Sequence, residues 1–214
     1  DWGSEEITTA TIEHLRELAA EHSCVFIRIR PQLEDNPTHT KRLEDLGGIP
    51  SLMHISADHT SIVDISQSED ELMTAMRQQT RYEVRRSEKR GIEISTEKPQ
   101  SIIATFHELQ VETAQRQNFI PPRYLQACID TFADHAQLYS ATKDGKLLNL
   151  ALVLNFGKEA AYFEAASTSD ARKEPGAYGI VWQAMRDAKS AGLTRFNLWG
   201  TAPPDSPNHR YAGV

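Results

Sequence analysis

Hydrophobic residues recur along the chain with two periods, which together predict a mixture of helices and strands. In residues 8–22, Ile12, Leu15 and Leu18 follow the three-to-four-residue spacing of a helix. The next segment, CVFIRIR (24–30), alternates Val, Ile and Ile with Phe, Arg and Arg, as in a half-buried strand. The chain is therefore expected to begin with a helix followed by a strand.

A capping signal marks the start of a longer helix in the middle of the chain. The strand SIVDIS (61–66) is followed by Ser68, which can cap a helix, and by Glu71, which can complete a capping box. We expect this helix to run to Arg90 and to stop at Gly91. The segment IEIS then predicts another strand.

The second half repeats the rhythm of helix, strands, helix and strand. Helical patterns cover residues 101–117 and 121–135, and the last helix ends at Gly192 before the strand TRFNLWG. Between them lies a three-strand meander whose turns are Asp144-Gly145 and Phe156-Gly157. This order predicts an α/β protein.

Composition limits the class of protein. The 214 residues are 39% hydrophobic and 25% charged, with a net charge of −7, so general coating of nucleic acid is improbable. No run approaches the roughly 20 apolar residues of a membrane helix, and no secretion signal is visible. Cys24 and Cys128 lack a metal-like spacing, so we expect both thiols to be reduced and buried in a cytoplasmic protein.

One segment, RYEVRRSEKRG (81–91), is strongly basic. Helical spacing aligns Arg81, Arg85 and Lys89 on one face, a pattern that suits a phosphate or pyrophosphate. The alternative is a solvated face whose cations pair with Glu83, Glu88 or more distant acids, and charge runs are usually of this kind. The segment alone leaves both interpretations open.

A glycine-containing loop is the second candidate. Arg172, Lys173, Gly176 and Gly179 stand between a strand and a helix, where free backbone N–H groups can bind an anion. The loop resembles a loosened form of the GNAT phosphate-binding loop, R/Q-x-x-G-x-G/A, but its glycines follow Arg172 by four and seven residues. A structural turn explains the same residues equally well.

The common catalytic and metal-binding motifs are missing from the sequence. There is no HExxH, GxSxG or Walker sequence, and His107, His135 and His209 are single and scattered. We therefore predict no metal, no cofactor and no covalent nucleophile.

Four segments, taken in order, resemble the Fem family of peptidoglycan bridge-forming aminoacyltransferases. The pattern "tRy.iR.Ae..G" is matched by residues 80–91, and "eT..R..F" by Glu112, Thr113, Arg116 and Phe119. The segments AAYFEAASTSDARKEPGAYGIVWQAMRDAKSAG and TRFNLWGTAPPDSPNHRYAGV resemble a third stretch. In that stretch Asn197 stands where the family usually has Asp.

The resemblance implies an α/β fold of two GNAT-like domains, the second inserted into the first. We expect a partial first domain in residues 1–95 and the second in residues 96–214. Family members begin with additional strands and a "W...K" segment and end the first domain with an "FK..F" segment that holds a catalytic Lys. The chain is therefore expected to be a fragment, with its catalytic residues unidentified.

The resemblance also implies transfer of an amino acid from aminoacyl-tRNA to an amine of a muropeptide precursor in the cytoplasm. The precursor is either UDP-linked or lipid-linked, and the lipid-linked form implies peripheral contact with the inner membrane face. Local basic patches would then meet the phosphates of both substrates. The residues assigned to substrate binding are Arg81, Arg85, Arg116, Tyr162, Arg172 and Tyr178, and Arg81 has a structural ion-pair role as its alternative.

Two other classes of function fit the sequence. The first is a GNAT-type N-acyltransferase that uses acyl-CoA or acyl carrier protein, since one fold serves many donors. The second is a non-catalytic module that holds a cell-wall precursor or tRNA.

Overall fold

The computed structural model describes residues 2–31, 33, 36–51, 59–97, 99–114 and 122–202. Its contacts group into two compact units, Asp1–Ile55 and Ser56–Val214. No described helix is long and apolar enough to cross a membrane.

Among its described residues, the first unit contains two helices, α1 (Glu5–Glu21) and α2 (Pro37–Asp45). The Ser4 side chain accepts a hydrogen bond from the backbone N–H of Ile7 at the start of α1, and Asn36 caps α2 in the same way. The helix that the sequence predicts first is therefore confirmed, with its start a few residues earlier than the periodicity suggests.

The strand predicted at residues 24–30 is wrong. The structure assigns no strand there, and Val25 and Phe26 are 97% and 71% exposed. Alternation makes a strand only when a neighbouring backbone supplies the ladder, and no described strand pairs with this segment. The predicted burial of both thiols is also wrong for Cys24, which is exposed, while Cys128 is partly buried; both are free thiols.

The second unit contains five α-helices and six strands among its described residues. The helices are α3 (Glu69–Ala75), α4 (Gln78–Lys89), α5 (Pro99–Ala114), α6 (Pro122–Phe132) and α7 (Gly176–Ser190). The strands are β1 (His59–Asp64), β2 (Glu93–Glu97), β3 (Ala136–Lys143), β4 (Lys146–Phe156), β5 (Glu159–Ser167) and β6 (Arg195–Thr201). Short 3-10 helices occupy Ala133–His135 and Asp170–Lys173.

The strands form one mixed sheet in the order β1-β6-β5-β4-β3-β2. Only the β5–β6 pair is parallel, and α7 makes the crossover between these two strands. The predicted α/β class and meander are confirmed. Asp144 and Gly145 both have positive φ, as a two-residue hairpin turn of the primed type requires. The second turn is Gly157-Lys158, one residue later than predicted, because Phe156 still pairs with Glu159 at the end of β4.

The sheet is covered on both faces, which explains why β4 is apolar along almost its whole length. Leu150, Leu152 and Leu154 pack toward α5 and α6, and Ala151 and Val153 pack toward the opposite face. That opposite face is covered mainly by α7, with buried residues of α3 and α4 in the same core. Two separate hydrophobic cores therefore hold the two helical layers on one sheet.

The single helix predicted from Ser68 to Arg90 is wrong. The chain forms α3 and α4, which are separated by Met76 and Arg77 with ψ of 150° and 149°, an extended conformation that no helix accommodates. The capping box is confirmed, because Ser68 and Glu71 exchange the two expected hydrogen bonds at the start of α3. The break separates the basic segment from the acidic first turn before it.

The predicted domain boundary between residues 95 and 96 lies within β2. The sheet joins β1, which precedes this boundary, and β2, which spans it, to the four strands that follow it. Compact units and GNAT-like domains are different ways to divide a chain, and the division into two such domains stays a prediction.

Candidate functional site

The outer face of α4 forms the candidate site. Val84 and Ser87 turn inward and are buried, so the basic side chains of the same helix are directed outward. They border a groove of about 540 Å³. Its lining residues are Gln78, Arg81, Tyr82, Arg85, Arg86 and Lys89.

The Arg81 side chain makes hydrogen bonds to the backbone at the break between α3 and α4. Its Nη1 donates to the carbonyl oxygen of Thr74 at 3.0 Å and also to that of Met76. These are orphan carbonyls at the end of α3, which otherwise have no helical partner. The observed partners of Arg81 are thus structural, although they are backbone carbonyls rather than the acids of an ion pair.

Arg86 and Arg90 fasten α4 to the loop before α7. Arg86 Nη2 donates to the carbonyl oxygen of Lys173 at 3.0 Å, and its Nη1 lies 2.9 Å from a Glu83 carboxylate oxygen. Arg90 lies 3.4 Å from Glu174, which also pairs with Lys143 at 2.7 Å. The hydrogen bond from Lys143, and the neighbouring cations, lower the pKa of Glu174.

Arg85 and Lys89 have a different environment. Both side chains are exposed, and within the described ranges neither makes a hydrogen bond or an ion pair. They lie one turn apart, and Tyr82, 58% exposed, precedes Arg85 by three residues on the same side of the helix. The result is a pair of uncompensated cations beside an accessible aromatic ring.

The structure brings the two basic segments predicted from sequence together. The loop that holds Arg172 and Lys173 touches α4 through Arg86, and α7 packs closely against α4. A Cβ atom at Gly179 would stand 2.4 Å from Ser87 Oγ, and one at Gly176 would stand 2.2 Å from Asn149 Oδ1. These glycines permit close packing, which favours the structural interpretation of their spacing.

The other predicted residues occupy different positions. Arg172 and Tyr178 are exposed beside the loop, whereas Tyr162 packs against the core on the α7 side of the sheet. Burial raises the pKa of Tyr162 to about 12, so its phenol stays protonated. Arg116 lies outside the described residues.

Asn197, where the Fem pattern has Asp, has specific partners. Its Nδ2 donates to Glu159 at 3.0 Å, and its Oδ1 accepts from the backbone N–H of Trp199 at 2.8 Å. An Asp here would place a second carboxylate against Glu159, so the amide suits this neighbour. The bond to Trp199 supports a β-bulge in which that residue has φ of 65° and packs edge-on against Phe163.

Sequence reasoning missed two polar residues near these elements. Glu174 pairs with Arg90 and Lys143, which are 84 and 31 residues away in sequence, so no short-range sequence pattern predicts these contacts. Glu164, partly buried between β5 and α5, accepts a hydrogen bond from Gln110 at 3.0 Å. The acid at the centre of the otherwise largely apolar stretch AAYFEAA was the available signal for Glu164.

Comparisons with known proteins bear on the family. Residues 46–149, just under half of the chain, match the model of the FemAB family. A crystal structure of FemX superposes with a TM-score of 0.84 over all of this chain and 72% of that one, at 20% identity. A search of curated proteins found no match.

Two further solved structures share the fold at lower similarity. The C-terminal domain of a lysylphosphatidylglycerol synthetase from Agrobacterium fabrum has a TM-score of 0.56 and 17% identity over 77% of this chain and 52% of that one. A protein of unknown function from Bacteroides thetaiotaomicron has a TM-score of 0.58 and 14% identity over 90% and 66%. The resemblance to the Fem family predicted from the sequence is confirmed.

Proposed function

We propose that this chain, a member of the Fem family, is an aminoacyltransferase that adds an amino acid to the stem peptide of a peptidoglycan precursor. The donor is aminoacyl-tRNA, and the acceptor is a UDP-linked or lipid-linked muropeptide. The observation that carries this proposal is the pair of uncompensated cations, Arg85 and Lys89, on a chain with net charge −7.

The charge distribution supports a phosphate-bearing substrate. An acidic protein repels a polyanion in general, so it needs local positive charge at the point of approach. The cations of α4 divide into those with protein partners and those without them, and only the latter remain for a ligand. Arg85 and Lys89 therefore supply two phosphate contacts in the proposed complex.

Tyr82 supports the end of a tRNA as the ligand of this face. Unpaired bases stack on exposed aromatic rings, and each such contact contributes about 1–3 kcal/mol. Tyr82 is exposed and lines the same groove as both cations, so one base and two phosphates can be held along one helix face. We assign this surface to the single-stranded acceptor end of the tRNA.

The remaining predicted residues are assigned to the acceptor substrate. Arg116 and Tyr162 are proposed to line the precursor cleft, with Arg172 and Tyr178 at its edge. A lipid-linked precursor would bring this part of the protein to the inner face of the membrane in the cytoplasm. The fastening of the Arg172 loop to α4 places the loop beside the proposed donor surface.

The chemistry requires alignment of the substrates more than it requires reactive protein groups. The ester of aminoacyl-tRNA is already activated, so the protein must bring an amine to the ester carbonyl and stabilise the oxyanion. Neither step needs a protein nucleophile. This agrees with the sequence, which offers no nucleophile motif.

The test is transfer of radiolabelled amino acids from a mixed aminoacyl-tRNA pool to UDP-linked and lipid-linked muropeptides. The protein should carry its natural termini, and parallel reactions should offer acyl-CoA and acyl carrier protein as donors. We expect label in a muropeptide only with aminoacyl-tRNA, and a fall of at least tenfold for Arg85→Gln. Lys146→Gln, which removes an exposed lysine from the start of β4, is the matched control.

The other outcomes each contradict the proposal. Transfer from acyl-CoA or acyl carrier protein would identify the GNAT-type alternative. Precursor binding without transfer from any donor would identify a non-catalytic module.

A further inference from the structure

The turn before α7, residues 170–174, is held against the flank of α4. Arg86 of α4 donates to the carbonyl oxygen of Lys173 at 3.0 Å. Arg90, one turn later on the same line of the helix, lies 3.4 Å from a Glu174 carboxylate oxygen. Two successive residues of the turn therefore contact two successive turns of α4.

The turn is also fixed from its other side. Ala171 is 6% exposed and belongs to the core that α7 shares with the sheet. Its backbone N–H donates to the carbonyl oxygen of Thr168 at 3.2 Å, and its own carbonyl oxygen accepts from the Glu174 N–H at 3.1 Å. Lys143 of β3 pairs with Glu174 at 2.7 Å. Since the backbone is held on both sides of Lys173, the position of this residue beside α4 is a fixed feature of the fold.

The charges at this junction fall into two groups. Two of its acids, Glu83 and Glu174, already pair with Arg or Lys side chains. The Lys173 side chain is exposed, and no described residue makes a hydrogen bond or an ion pair with its ammonium group. Arg85 and Lys89 are in the same condition. Three uncompensated cations therefore lie at one junction, two of them on α4 and one on the turn.

Helix geometry places Lys173 next to the other two cations. Arg86 follows Arg85 by about 100° around the helix, and it lines the same groove as Arg85 and Lys89. The backbone of Lys173 touches the Arg86 guanidinium, so its side chain starts at the border of this groove. A lysine has a long and flexible stem, which allows its ammonium group to reach a ligand lying along α4.

We propose that Lys173 is a third phosphate contact, which joins the α4 groove and the turn into one surface for a single-stranded polyphosphate chain. This inference rests on the proposed function, in which the donor is the acceptor end of a tRNA. A pyrophosphate offers two adjacent phosphate groups, which Arg85 and Lys89 match without help from a second element. A cation on the turn is matched by a further phosphate along a strand. The fixed backbone of the turn lowers the cost of ordering this contact.

The test is the binding of a single-stranded RNA hexanucleotide to the whole protein as a function of salt concentration, with UDP as the pyrophosphate probe. Each phosphate contact of a single strand contributes about 0.7 to the slope of log K against log salt. With the RNA, Lys173→Gln should lower this slope by about 0.7, and Lys173→Arg, which keeps the charge, should retain the slope of the wild type. With UDP, Lys173→Gln should bind as the wild type does.

The matched control is Lys158→Gln. Lys158 is an exposed lysine whose Nζ donates to the carbonyl oxygen of Gly192, just beyond the opposite end of α7. This variant should keep the RNA slope of the wild type. Denaturant unfolding of Lys173→Gln should match that of the wild type, because the lost side chain has no partner among the described residues.

Each other outcome is decisive. A wild-type RNA slope in Lys173→Gln, together with a lowered slope in Arg85→Gln, would overturn the third contact and confine the surface to α4. Equal losses of UDP and RNA affinity in Lys173→Gln would overturn the strand and identify a pyrophosphate site. An equal fall in Lys158→Gln would show a general charge effect and also overturn the contact. Wild-type slopes in both Arg85→Gln and Lys89→Gln would instead contradict the proposed function, while Lys173→Gln would still decide whether the turn binds a phosphate.

Discussion

Arg81 and Arg85 lie one turn apart on α4, yet their guanidinium groups have opposite surroundings. Arg81 donates to the last carbonyls of α3, and Arg86 and Arg90 bind the loop before α7. Arg85 makes no contact of this kind with any described residue, and neither does Lys89. The number of charges in a segment therefore says little about binding until the partner of each charge is known.

The largest expected effect comes from the packing of α4 against α7, which holds Arg86 and Arg90 near their partners in the loop before α7. Gly179→Ala puts a methyl group 2.4 Å from the buried Ser87 Oγ and 3.0 Å from the Ile94 side chain, so these side chains or α7 itself must shift. We expect a loss of about 1–3 kcal/mol in the free energy of unfolding, measured by chemical denaturation. Adding Ser87→Ala should recover at least half of it. A single variant as stable as the wild type would show that the contact is not tight.

The next effect compares the two arginines directly. Arg81→Met should lower the free energy of unfolding by about 1–2 kcal/mol, because two carbonyl groups at the end of α3 lose their charged donor. Arg85→Met, the matched change one turn later, should alter it by less than about 0.5 kcal/mol. An equal loss of unfolding free energy in the two variants would show that Arg81 is no more engaged with the protein than Arg85.

A smaller effect on stability should appear at acid pH, where the ion pairs of Glu174 with Lys143 and Arg90 are lost. The pKa of Glu174 is lowered, so its ion pairs with Lys143 and Arg90 stabilise the fold above the ordinary carboxyl pKa near 4.5. This contribution should be lost as the pH falls from 4.5 through the lowered pKa. Glu174→Gln should unfold with a weaker dependence on pH in that window. An unchanged pH dependence would show that these ion pairs do not stabilise the loop.

The elements that the sequence predicts well are those with local causes. The capping box at Ser68, the Asp144-Gly145 turn and the apolar run of β4 each depend on residues close in sequence. The prediction of a strand at CVFIRIR is wrong because an alternating pattern does not show whether a second strand is available for pairing. The prediction of one continuous helix is wrong at Met76 because helix formers lie on both sides of the break. Arg81, five residues away, stabilises the break by a hydrogen bond.

In the candidate site, too, the sequence predicts the features with local causes and misses those that depend on distant contacts. The row of cations on α4 follows from helical spacing, so the sequence predicts Arg81 and Arg85 on one face. Which of them has a protein partner depends on the α3–α4 break, and the partner of Arg90 is 84 residues away in sequence. The pair of Gln110 and Glu164 depends on how α5 docks on β5, which no local pattern encodes.

Substitution of Arg85 or Lys89 should have the smallest effect on stability, because we propose that both side chains bind phosphates and not other parts of the protein. The measurement is the binding constant for an aminoacyl-tRNA acceptor arm as a function of salt concentration, for Arg85→Gln, Lys89→Gln and the control Lys146→Gln. Each of the first two should reduce the slope of log K against log salt by about 0.7–0.9, with unfolding unchanged, and the control should reproduce the wild type. Slopes equal to that of the wild type in both α4 variants would show that neither side chain binds a phosphate.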